Sequence, residues 1–113
     1  MNELSQLTYF YFQRPTLDPK LLIWKKETDA SAKERLQQLI TFYESSSFVW
    51  DTQTLEQETK SLIEKEGQGM GPFLWPMRVA LSGEKASPGP FEIAVVLGKE
   101  ETIERLRAAI ALL

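Results

Sequence analysis

The chain contains no cysteine and no histidine. The first absence excludes disulfides, thiolate nucleophiles and thiolate metal sites. The second removes the commonest general base and metal ligand, and with them every Ser-His or Cys-His catalytic pairing. No apolar run approaches the ~20 residues that a membrane-spanning helix needs. The N-terminus carries no basic stretch leading into an apolar core, as a secretory signal would. The location expected from these absences is the cytoplasm, with no membrane partner. Positive charge is not in excess either: 13 Lys and Arg stand against 16 Asp and Glu, a formal net charge of −3. Nucleic-acid-binding domains usually lean the other way, because phosphate contacts supply much of their affinity. Any RNA surface on this chain therefore has to be local.

What is present fits one ordinary domain. The 113 residues are 42% hydrophobic and 26% charged, enough apolar surface to build a core without metal or disulfide help. Leu4, Leu7 and Tyr11, with Phe10 beside them, recur at helical spacing over residues 3–13, although the run Tyr9-Phe10-Tyr11-Phe12 also reads as a strand. Pro15 and Pro19 bracket a turn, and Leu21-Leu22-Ile23-Trp24 fits either a strand or a helical turn. A helix is predicted over 30–46, with Ser31 and Glu34 as a capping box or Asp29 as the cap. Its apolar stripe is Leu36, Leu39, Ile40 and Tyr43. Asp51 or Thr54 caps a second helix to about Glu66, whose narrow stripe of Leu55, Leu62 and Ile63 is interrupted by Thr59, so it is expected on the surface. Gly67, Gly69 and Gly71 read as a flexible loop. A short helix is predicted from Pro76, where proline suits the first turn, to about Ser82, with Gly83 as its stop. Ser87 and Pro88 should open a buried helix over 89–97 that ends at Gly98. The last helix begins among Glu100, Glu101 and Glu104, where the macrodipole favours acids, and buries Ile103, Leu106, Ile110 and Leu113. The expected fold is all-α, a compact bundle of about five or six short helices in a single domain over residues 1–113.

Candidates for chemistry are few. The Gly67-x-Gly69-x-Gly71 loop lacks the spacing and the Lys-Ser/Thr ending of a phosphate-binding loop, and reads as a linker. Glu56, Glu58, Glu64 and Glu66 share a polar helix with Lys60 and Lys65, the pattern of a solvated face. Tyr9 to Phe12, Trp24, Trp50 and Trp75 can stack on bases, but core packing accounts for them more simply. Arg78 stands apart, because it interrupts the apolar segment Phe73 to Leu81. Either its stem packs while its head reaches water, or the guanidinium reaches a ligand.

From Phe73 to Leu106 the motifs follow in a fixed order: Pro76-Met77-Arg78, Gly83, Ser87-Pro88, the apolar run Phe91 to Val96, Leu97-Gly98-Lys99-Glu100, then Arg105-Leu106. In this order and spacing the chain resembles the C-terminal anticodon-binding bundle of bacterial-type glutamyl-tRNA synthetases. The resemblance is specific over roughly the last forty residues and looser upstream. It implies that Arg78, Ser87, Pro88 and Pro90 lie against anticodon nucleotides, with Lys85 on backbone phosphate. Met77 and Pro90 each stand where the family commonly has leucine, and no basic residue lies between Lys65 and Arg78.

The resemblance also implies partners. The chain is expected to bind a tRNA anticodon loop as a monomeric C-terminal part of a glutamate–tRNA ligase. It carries no HIGH-type or KMSKS-type motif, so it should not charge tRNA by itself and needs no cofactor of its own. A catalytic domain of the same parent chain would use ATP and Mg. The rival reading is a helical protein-interaction module that kept the fold without the RNA.

Overall fold

The computed structural model describes residues 17, 19–22, 28–67, 69–83 and 89–113. The proposed first helix at 3–13 and Ile23-Trp24 lie outside them. Among the described residues there is no strand. A 3-10 turn at Pro19–Leu22 precedes five α-helices: α1 (Asp29–Ser45), α2 (Thr52–Lys65), α3 (Met70–Ser82), α4 (Pro90–Leu97) and α5 (Lys99–Leu112). The all-α expectation holds. The ambiguous Leu21-Leu22 step is helical, and Leu22 is fully buried.

α1 starts earlier than its sequence predicts, because Thr28 is the cap. The Ser31 N–H donates to Thr28 Oγ1 at 3.1 Å and the Thr28 N–H donates to Ser31 Oγ at 2.9 Å, so two orphan donors are satisfied reciprocally. The expected stripe Leu36, Leu39, Ile40 and Tyr43 is buried, and α1 packs on α5 and α3. Asp51 caps α2 as expected, its Oδ1 accepting from the Thr54 N–H at 2.7 Å.

α2 is not a peripheral helix. Leu55, Thr59 and Ile63 are fully buried, one row at spacing i, i+4, i+8. Thr59 is tolerated there because its hydroxyl hydrogen-bonds the Tyr43 hydroxyl at 2.8 Å, and the Tyr43 hydroxyl also faces Met77 Sδ at 3.7 Å. Burial pushes the Tyr43 phenol well above its ordinary value, with the Thr59 hydrogen bond opposing in smaller measure. A folded-state pKa above the unfolded one contributes stability that is fully present below the unfolded value. It is then lost as pH rises past about 10, at roughly 1.4 kcal/mol per pH unit. Urea midpoints measured from pH 8 to 11 should therefore fall more steeply above pH 10 than those of Tyr43→Phe, and parallel curves would contradict this.

The largest departure concerns α3. It begins at Met70, so Gly71 belongs to the helix and Pro76 lies inside it. A proline in a helix interior costs about 3 kcal/mol. Phe73 and Met77 are fully buried on one side of the same helix, and each such side chain contributes about 1.5–3 kcal/mol. Their burial offsets the proline and extends the helix through it. Pro72 is harmless, because N–H groups in the first turn have no intrahelical partner anyway. Gly83 at φ +74 closes the helix, its N–H donating to the Val79 carbonyl at 2.7 Å.

α4 is capped at Gly89 with Pro90 as its first residue, so its described start lies after Ser87 and Pro88. The link between α1 and α2 crosses to this helix. Trp50 stacks on Phe48 with ring centroids 6.3 Å apart and donates Nε1–H to the Ala94 carbonyl at 2.9 Å. Lys99 Nζ donates to the Ser46 carbonyl at 3.0 Å. Ile103 and Leu106 are buried on α5 as expected, with Ala109 beside them, while Ile110 and Leu113 are only partly covered.

Candidate nucleic-acid interface

The continuous α3 has two faces. Phe73, Met77 and Ala80 enter the core. Gly71, Leu74, Trp75 and Arg78, at spacing i, i+3, i+4, i+7, instead line a cavity of about 260 Å³, with Met70 at its edge and Pro90 of α4 completing the wall. The structure therefore brings two sequence-predicted site residues, Arg78 and Pro90, to one cavity. Pro90 is itself buried there, so it forms the wall and leaves the opening to its neighbours. Lys85, Ser87 and Pro88 lie outside the described residues, on the segment joining α3 to α4.

Arg78 is half-buried, and no carboxylate among the described residues pairs with its guanidinium. The other described arginines differ: Arg105 bonds Glu101, Arg107 bonds Glu104 and Glu44, and Arg35 donates to the Ser31 carbonyl at 3.1 Å and lies over the Phe73 ring. Positive potential at the cavity has a second source. The first turn of α3 supplies Met70 and Gly71, has no acidic side chain, and has no side-chain cap. The partial positive charge of that helix end therefore meets no acidic side chain within its own first turn. In a chain of net charge −3, Arg78 and this helix end lie at one recess.

Trp75 packs against the core, as the sequence suggests, but it is only half-buried and also lines the cavity beside Arg78, which the sequence reading did not foresee. The signal was its position three residues before Arg78, which means one face only if the helix runs through Pro76. Trp50 does serve packing, as expected. A larger groove of about 970 Å³ runs along the outer face of α1 to Leu62 and Ile110. Asp29, Glu34 and Glu66 outweigh Lys33 in its lining, so it is a poor surface for phosphate.

A family model for an anticodon binding domain matches residues 1–110. The chain belongs to the anticodon-binding domain family. This domain is similar to glutamate–tRNA ligase 1 of Erythrobacter litoralis, with 35% identity over 108 residues, covering 96% of the chain and 22% of that protein. Glutamate–tRNA ligase of Herpetosiphon aurantiacus is 35% identical over 114 residues, covering 100% of the chain and 23% of the relative. A crystal structure of a glutamate tRNA ligase from Elizabethkingia meningosepticum, in complex with its amino acid, superposes with a TM-score of 0.75 at 28% identity, over 96% of the domain and 21% of that chain. The domain thus spans under a quarter of the length of the relatives it matches.

Proposed function

We propose that this domain reads the anticodon loop of a tRNA on behalf of a glutamate–tRNA ligase. The observation that carries the proposal is the recess where Trp75, Arg78 and Pro90 meet. At about 260 Å³ it is smaller than the ~300–1,000 Å³ of drug-sized sites. Anticodon bases are unstacked, and can be read on their edges while an aromatic face supports them. Arg78 offers a planar fork of donors for base acceptors or phosphate. The family resemblance adds Lys85, Ser87 and Pro88 of the following segment as RNA contacts. The chain acts as a monomer in the cytoplasm, and the ATP- and Mg-dependent attachment of glutamate belongs to a catalytic domain of the parent.

The test is a titration of the 15N-labelled chain with the anticodon stem-loop of the glutamate tRNA at low salt. Shifts should cluster at Gly71, Trp75, Arg78 and residues 85–90, and the affinity should fall steeply with added salt. No shifts at high RNA concentration would overturn the reading and favour a helical protein-interaction module.

A further inference from the structure

Arg105 is charged yet only 3% exposed. From the middle of α5 its Nε donates to Glu101 Oε2 at 2.8 Å, and its Nη1 donates to the Leu81 carbonyl at 2.7 Å. That carbonyl belongs to the last turn of α3, where helix geometry leaves acceptors without a donor. In the same turn Ser82 Oγ donates to the Arg78 carbonyl at 2.8 Å, and the Gly83 N–H closes on the Val79 carbonyl at 2.7 Å. The end of α3 that carries Arg78 is therefore fastened from another helix, 24 residues further along the chain.

Stability alone does not ask for this residue. A buried ion pair gains little over apolar side chains of the same shape, and Ile103, Leu106 and Ala109 already anchor α5 in the core. What the guanidinium adds is direction, since its donors form a rigid fork. Glu101 holds one arm of the fork, so the other has a fixed aim.

We infer that Arg105 is a positioning residue for RNA recognition. Oriented by Glu101, it holds the last turn of α3 against α5, so that Arg78 meets the RNA from a fixed frame. The inference rests on the function proposed above. A free helix end would fray, and each RNA contact would then have to order it first.

The experiment compares Arg105→Met, Arg105→Lys and Glu101→Gln in the 113-residue chain. Met keeps the buried volume without a donor, and Lys keeps one donor. Amide exchange at Ser82 and Gly83 is measured without RNA, and stem-loop affinity is measured beside the wild type. Arg105→Met should exchange faster there and bind about tenfold more weakly, with an unchanged salt slope because Arg105 does not touch RNA. Arg105→Lys should recover most of both, and Glu101→Gln should fall between. If Arg105→Met does not fold, Glu101→Gln decides: wild-type exchange and affinity in that variant overturn the inference. So does a folded Arg105→Met that binds as the wild type does, and in both cases the function stands. A wild-type chain that ignores the stem-loop overturns the function, and the inference with it.

Discussion

Phe73→Ala will cost the domain about 3–5 kcal/mol and lower its melting temperature by about 15 °C or more. Phe73 is fully buried, and Arg35 lies 5.7 Å above its ring. Its removal takes away apolar area, leaves a void, and forfeits a cation–π contact of about 0.5–1 kcal/mol. The loss is a large share of the ~5–15 kcal/mol that holds a typical domain together. Phe73 also balances Pro76, so the first half of α3 should unwind in the variant and carry Gly71, Leu74 and Trp75 out of register with Arg78. Thermal melts followed by circular dichroism and by Trp fluorescence check this. A drop below about 5 °C would show that the proline is accommodated by something else.

The second large effect is on binding, with the fold intact. Arg78→Ala should weaken stem-loop affinity about ten- to a hundredfold, the worth of a charge-assisted hydrogen bond. Because the guanidinium has no carboxylate partner among the described residues, its loss strands no buried charge, and the melting temperature should barely move. Arg78→Lys separates two roles. A phosphate contact survives the change and keeps the salt slope, whereas a forked contact to a base edge does not survive it. In a ligase that contains this domain, Arg78→Ala should lower cognate charging in proportion. Equal affinity of wild type and Arg78→Ala would remove Arg78 from the interface.

Much of the architecture was legible because it depended on local signals. The stripe of α1, the Asp51 cap and the glycine stops at Gly83 and Gly98 all act within one helical turn. Thr59 was misleading, since a lone polar residue in an apolar row looks like a surface marker, and its partner Tyr43 lies 16 residues away. Thr28 displaced the expected cap because Ser31 answers it as well as an acid would. The candidate site was half legible. Arg78 and Pro90 came from motif order, but Trp75 and Gly71 did not. Starting the helix at Pro76 removes Trp75 from Arg78's face, and only the burial of Phe73 and Met77 restores it. The penalty of proline is written in the sequence, and the burial that outweighs it is not.

Two hydrogen bonds tie the α1–α2 link to the C-terminal helices: Trp50 to the Ala94 carbonyl over 44 residues, and Lys99 to the Ser46 carbonyl over 53. α4 has eight residues, fewer than an isolated helix needs to persist in water. The wall that Pro90 lends to the recess therefore depends on tertiary support, from α2, α3 and α5 and from Trp50 of the α1–α2 link. A protease cut at the exposed Val49 would leave Trp50 and every residue that lines the recess on the C-terminal fragment, but would sever the Lys99–Ser46 tie and the chain link to α1, which packs on α3 and α5. The recess residues are therefore contiguous in the chain while part of their support comes from α1, on the other side of that cut.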